Sequence, residues 1–274
     1  MNIGFTIDES ALNQFGFHWL DTLITQDLFS CVELSPEKRA ANSDVYLQIK
    51  KRLEKHQLSY QLHVPYFVHP TDYSINSLTE SKQKIVNTFE NWLLLTESMR
   101  YDDQMVPIII HPGYIDQHTK KPEDVTAHYI ELTLNLLHRK GLSRHYTLAL
   151  ENLPTRKYEG FGTSLDGIMA FRKRFFHQKQ LAICLDLCHY EVSKDSSSIP
   201  YAEIDLYHIH QYNPLNNMDH LSLQENQLDF TKHFEALKKT TTGSLNLELL
   251  LYAESAYIER LNKDLQLLHQ RLKD

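Results

Sequence analysis

Cysteine is scarce: Cys31, Cys184 and Cys188 are the only three in 274 residues. Three thiols cannot all pair, and two of them sit in or just after an apolar run where a small side chain packs well, so reduced core thiols are expected. The C-x3-C spacing of Cys184 and Cys188 is not the C-x-x-C of redox or zinc-ribbon sites. Long hydrophobic runs are missing too. The start M-N-I-G-F-T-I-D-E has no basic flank and no long apolar stretch, and no later run reaches membrane-spanning length. A cytoplasmic protein without a membrane partner is the expectation. Positive charge is in deficit, with 28 Lys and Arg against 35 Asp and Glu and a formal charge of −7. That argues against a generally basic nucleic-acid-binding surface, although a local cationic groove can coexist with an acidic total. The conspicuous basic cluster Arg172, Lys173 and Arg174 falls in an amphipathic stretch and reads as a solvated helix face. No low-complexity segment or domain-separating linker occurs, so residues 1–274 are expected to form a single domain.

Against these absences stands a composition of 42% hydrophobic and 23% charged residues, enough for a large buried core. Apolar runs predict strands near 2–7, 29–34, 58–64, 106–111, 146–151, 181–186, 204–210 and 245–251. Helical stretches lie between them, most clearly at 42–56, 77–100, 122–140, 164–177, 229–239 and 254–272, with Pro122 placed to open one and Gly141 to close it. Strict alternation with parallel crossovers admits a doubly wound sheet or a closed barrel, and eight units favour an α/β (β/α)8 TIM barrel. Residues 192–200, V-S-K-D-S-S-S-I-P, look like the most flexible piece, a loop or short helix at the active-site face and a candidate lid.

Several of these runs end in a potential metal ligand: His63, His111, Glu151, Asp186 with nearby His189, and His210, while the last carries Glu248. In a barrel the C-terminal strand ends converge on one pocket, so these distant residues would meet. Strand parity agrees. Thr147, Ala149 and Glu151 share one face, as do Ala182, Cys184 and Asp186, and Asn246 with Glu248, while the aliphatics take the other. A glutamate inside an apolar strand costs several kcal/mol unless it binds a metal or another partner. Two of them, Glu151 and Glu248, therefore imply compensation by cationic charge. Carboxylate and imidazole together suit a divalent ion such as zinc, manganese or cobalt. His208 and His210 share parity, with His210 nearer the mouth as the expected ligand and His208 behind it or contacting substrate.

The fragments H-V-P-Y, I-I-H-P-G-Y, L-A-L-E-N-L-P, C-L-D-L-C-H, Y-H-I-H-Q-Y-N, D-H-L-S-L and L-N-L-E-L, in that order over about residues 58 to 251, resemble the motifs of the xylose isomerase-like TIM-barrel superfamily. That superfamily includes endonuclease IV and many sugar isomerases and epimerases. In the isomerase and epimerase branch the resemblance implies one divalent metal held by Glu151, Asp186, His210 and Glu248. The metal would gather adjacent oxygens of a carbohydrate-like substrate and stabilise an enediolate, with Glu151 and Glu248 as the catalytic proton-transfer pair. His189, His208, Tyr66 and Asn213 would be substrate contacts. In the endonuclease IV branch it implies a zinc cluster that also uses His63, His111, His189 and His220 and activates water against abasic-site DNA. Met218 departs from that branch, because the family's D-x-H pattern puts an aspartate two residues ahead of His220, and Asp219 has the wrong spacing. The complete quartet, the altered third-metal position and the acidic chain favour small-molecule chemistry.

Overall fold

The computed structural model describes residues 1–7, 9–35, 43–64, 82–101, 103–112, 122–155, 161–176, 181–240, 243–250 and 256–273. The barrel strands are β1 (Asn2–Ile7), β2 (Cys31–Leu34), β3 (Ser59–His63), β4 (Val106–Ile110), β5 (Tyr146–Glu151), β6 (Leu181–Asp186) and β7 (Leu206–Ile209), completed by β10 (Ser244–Leu247). They pair in parallel, each with its neighbour in chain order, and β10 pairs with both β7 and β1 to close the barrel. Between β7 and β10 lies an antiparallel hairpin of β8 (Gln211–Asn213) and β9 (Met218–Leu221). The helices are α1 (Glu9–Phe15), α2 (His18–Thr25), α3 (Ser43–His56), α4 (Lys82–Glu97), α5 (Pro122–Arg139), α6 (Leu165–Phe175), α7 (Leu187–Val192), α8 (Thr231–Leu237) and α9 (Tyr257–Lys273). Among the described residues no helix is long and apolar enough to cross a membrane.

The strand alternation sorts the chain into two apolar layers. Outward positions such as Leu148, Leu150, Ile183, Leu185, Leu245 and Leu247 join the large core beneath the helices, while Ile109, Ala149, Ala182, Cys184 and Leu206 form a separate cluster inside the barrel. Further along the same inward faces the residues turn polar, to Glu33, Gln61, Glu151, Asp186, His208 and Asn246, all buried. The interior is thus an apolar plug under a polar layer. Pro122 opens α5 as its fixed φ favours, and Gly141 leaves the helix with φ +70. The cysteines are buried and unpaired with one another.

Several features depart from the sequence pattern. The first crossover carries two short helices, α1 and α2, whose lengths of seven and eight residues leave little periodicity to read. Arg172 does not share the solvated face of its neighbours, because its stem is buried and its guanidinium lies 3.6 Å from Asp205. Residues 193–197 are tied down instead of forming a free lid. Ser193 Oγ accepts from the Thr155 N–H at 2.9 Å, Asp195 from the Leu165 N–H at 2.7 Å and Ser197 Oγ from the Asp166 N–H at 3.3 Å, which satisfies the exposed start of α6.

Gly162 fastens the loop after β5 to the end of β4. Its carbonyl accepts from Leu153 N–H at 2.7 Å, its φ is +93, and a Cβ there would run into the Pro112 ring beside His111. Gly162→Ala should therefore cost more than about 1 kcal/mol, from the left-handed backbone plus the clash. Urea unfolding with an unchanged midpoint would count against this close approach.

Candidate metal centre

The strand ends of the barrel open on a cavity of about 250 Å³ walled by Glu33, His63, His111, Glu151, His189, Asp219, His220 and Glu248, among others. Glu151 ends β5 pointing inward and is the hub. Its Oε2 lies 3.1 Å from His63 Nε2 and 3.0 Å from His111 Nε2, and its Oε1 lies 3.0 Å from His208 Nδ1. His63 also turns Nδ1 to the Val64 carbonyl at 2.9 Å, so both its nitrogens face oxygen acceptors. That pattern suits a doubly protonated ring without metal, and a ligand through Nε2 with Nδ1–H still held by Val64 once a cation is present.

Asp186 has two tasks. It caps α7, with Oδ1 accepting from the His189 N–H at 2.6 Å, and it turns Oδ2 toward His210 Nε2 at 3.1 Å. Those last two atoms are buried, and neither makes a well-aligned hydrogen bond. Two such atoms facing each other without a proper bond are what a cation would satisfy. Asn152 locks β5 to β6 here, donating to Asp186 O at 3.1 Å and accepting from Asp186 N–H at 2.7 Å. The Asn152 carbonyl also takes His189 Nδ1–H at 2.9 Å, leaving Nε2 for the cavity that His189 walls.

The hairpin after β7 supplies His220. Its backbone is left-handed, φ +56, a conformation uncommon outside glycine. The ring stacks on His210 with centroids 4.3 Å apart, and its Nδ1 lies 3.1 Å from Asp219 Oδ1 while Nε2 lies 3.6 Å from Glu248 Oε2. Among the described residues five groups have their ligand atoms within 4.8 Å of one another: His63, His111 and Glu151; His63, His208 and Glu248; Glu151, Asp186, His208 and Glu248; His210, His220 and Glu248; and Asp186, Cys188 and His210. This nitrogen and oxygen donor set fits a divalent ion of the zinc, manganese or cobalt kind.

Electrostatics follow from the crowding. Burial alone would raise Glu151, yet His208 and His111 hold it well below the usual carboxylate range, and His208 with His220 does the same for Glu248. Burial is likewise overridden for Asp186, by His189 and His210. On the imidazole side burial works against charge, but the Glu151 hydrogen bond and the charge of Glu33 push His63 up to about 9. Cys188 and Asp186 beside His210 push it up to about 10, as the Asp219 and Glu248 contacts do for His220. His189 is the exception, because burial dominates and lowers it, which keeps the ring neutral.

The structure therefore brings His63, His111, Glu151, Asp186, His189, His210, His220 and Glu248 together. Two further candidates are placed apart from the mouth. His208 is 0% exposed with both nitrogens facing carboxylates, which matches the expectation of a place behind His210. Asn213 stands in the hairpin, where its Oδ1 accepts from the Leu215 N–H at 2.9 Å. Tyr66 lies outside the described residues. Glu33 was missed, although its inward parity in C-V-E-L carries the same signal as Glu151. Asp219, displaced by one residue from the family pattern, still faces His220.

A closed parallel barrel ringed by helices, with imidazoles and carboxylates gathered at its C-terminal mouth, places the chain in the class of TIM-barrel proteins. The family model of the xylose isomerase-like TIM barrel matches residues 11–266, and the chain belongs to that family. A comparison with curated protein sequences finds no match. Among solved structures the fold is similar to D-psicose 3-epimerase from Clostridium cellulolyticum H10 crystallised with D-tagatose, with TM-score 0.68 and 11% identity over 100% of this chain and 98% of that one. It is also similar to an AP endonuclease, family 2, from Brucella melitensis, with TM-score 0.61 and 16% identity over 91% and 93% of the chains. The IolI protein with a bound zinc atom gives TM-score 0.61 and 12% identity over 100% and 95%. At these identities the likeness is one of fold.

Protons should compete with metal here. The raised folded-state values of His63, His210 and His220 stabilise the metal-free chain fully below about pH 6.5, and that contribution is lost as pH rises through about 9 to 10. Zn²⁺ binding at about pH 8 should then release protons, and affinity should climb with pH through that window. Calorimetry in buffers of different ionisation enthalpy measures the release, and a proton balance of zero would mean that the rings are already neutral.

Proposed function

We propose that this chain is a divalent-metal-dependent isomerase or epimerase of a small, carbohydrate-like substrate, working as one barrel domain over residues 1–274. The observation that carries the proposal is the meeting of Glu151 and Glu248, from strands that are not neighbours in the barrel, over one cavity of about 250 Å³. That volume is below the roughly 300–1,000 Å³ of sites for larger ligands and suits a single sugar ring or open chain. Glu151, Asp186, His210 and Glu248 would hold the ion. The chemistry a divalent ion supplies when bound is polarisation of the substrate's carbonyl oxygen. Glu151 then takes the proton from the carbon beside the carbonyl, and Glu248, approaching from another wall, returns one. His189, kept neutral and oriented by Asn152, hydrogen-bonds a substrate hydroxyl through Nε2. His63 and His220 donate to further oxygens at the rim. The D-psicose 3-epimerase named above supports the proposal through its fold.

A second reading rests on one specific contact. His63 and His111 converge on the same oxygen of Glu151, which is more ligand than one ion needs and would suit a second ion in a zinc phosphodiester hydrolase acting on abasic DNA. The family 2 AP endonuclease shares the fold on which such a site can be built.

The two readings separate in one set of assays. Incubation of the metal-loaded protein with candidate ketoses or inososes in deuterated water should place deuterium on the carbon beside the carbonyl. Glu248→Gln should slow that exchange by at least about 100-fold, the usual contribution of a positioned acid or base. Metal content measured on the same sample shows whether the loss lies in proton transfer or in ion binding. Cleavage of abasic-site duplex without any exchange would establish the second reading instead.

A further inference from the structure

Glu33 is 0% exposed in the middle of β2, and donors from three other strands converge on it. Thr6 Oγ1 donates to its Oε1 at 3.0 Å, while Gln61 Nε2 at 2.7 Å and His208 Nε2 at 2.8 Å lie on its Oε2. Thr6 and Gln61 come from the flanking strands β1 and β3, but His208 reaches across the barrel from β7. The other nitrogen of that ring, Nδ1, sits between the two glutamates of the site, 3.0 Å from Glu151 Oε1 and 3.3 Å from Glu248 Oε2.

A buried carboxylate is an expensive way to fill a barrel, and this chain fills the level below with Ile109, Ala149, Cys184 and Leu206. The polar layer begins directly under the cavity. There Asn246 Nδ2 donates to Thr6 Oγ1 at 3.0 Å and Ser244 Oγ to Gln61 Oε1 at 3.0 Å, so the two neutral partners of Glu33 are themselves held. Glu33 is consequently fixed on three sides, and the ring bonded to it cannot turn without breaking a bond to a carboxylate at either end.

We propose that Glu33 is a positioning residue of the site, acting through His208 to hold Glu151 and Glu248 at the separation and orientation from which they face the cavity. The inference rests on the metal-dependent reading above, and it gives Glu33, which is 0% exposed at the wall of the cavity with its oxygens taken by Thr6, Gln61 and His208, a role through His208. With the brace removed, the imidazole swings, the two glutamates relax apart, and the pocket loses the geometry in which both serve one ion or one substrate carbon.

The test is a double-mutant cycle read by Mn²⁺ binding, which needs no substrate. Glu33→Gln should weaken Mn²⁺ affinity by about 10- to 100-fold, the usual effect of losing a partner behind a metal ligand. In a His208→Asn background the same substitution should cost nothing further, because the brace is already broken. In the metal-free protein the ¹⁵N ring signals assigned to His208 should move in Glu33→Gln while those of His189, held by Asn152, stay in place. If Glu33→Gln does not fold, Glu33→Asp carries the test, since it keeps the charge one methylene short and should give a smaller loss with the same non-additivity. Losses that multiply in the double variant, or unmoved His208 signals with wild-type Mn²⁺ affinity, would overturn the proposal. Absence of deuterium exchange with every sugar tried, with the Mn²⁺ cycle still non-additive, would remove the isomerase reading and leave the brace standing.

Discussion

Glu151, Asp186 and Glu248 are removed from water at one end of the barrel, where each carboxylate alone would cost several kcal/mol to ionise. Much of the surrounding structure exists to offset that cost. His208 stands between two of them, His63 and His111 converge on the first, and His210 faces the aspartate. Without a metal the compensation comes from protons on His63, His208 and His210, which is why the carboxylates are held low and these imidazoles high. A cation could replace these protons without rearrangement, because Glu151, Asp186 and Glu248 each already face an imidazole nitrogen.

Aim on this scale needs a scaffold that does not yield. The apolar plug of Ile109, Ala149, Cys184 and Leu206 keeps the strands in register beneath the polar layer. At the strand ends single groups do double duty. Asp186 spends one oxygen on starting α7 and keeps the other for the site, and Asn152 ties two adjacent strands while selecting the tautomer of His189. His220 is placed by the hairpin with φ +56, and its ring is held there by stacking on His210 and by the Asp219 contact.

The barrel strands were legible because period-two alternation with a charged residue at the strand end is a strong signal, and Glu151 and Asp186 each end such a run, while Glu248 lies within the run 245–251 and directly after β10. Helices of more than ten residues were legible for the same reason in their own period, whereas α1, α2 and α7 are too short to show one. Glu33 carried the parity but lies inside its strand and is followed by no motif, so nothing singled it out. Depth was the other blind spot. Parity puts His208 and His210 on one face, yet only the crossing of β2 and β7 partners reveals that the first is enclosed and the second is at the site. The hairpin and the role of Asn213 within it depend on a turn that the flanking residues do not announce, and the serine-rich segment looked loose because its partners, the first N–H groups of α6, are distant in sequence.

Proton count and substrate charge are linked at this mouth. On the proposed function, an ion held by Glu151, Asp186, His210 and Glu248 would bring a double positive charge and displace the proton of His210, so the site would gain about one unit and His63 and His220 would remain as proton donors. A neutral polyol needs no more than that: one polarising charge, two donors and two carboxylates. A second ion drawing on His63 and His111 would displace a further proton from His63, raise the local charge again and suit an anionic phosphodiester. On the two readings proposed above, occupancy of the His63 and His111 pair would set the charge that the cavity accepts, and the oxygen of Glu151 that both rings face would be the point at which the two chemistries divide.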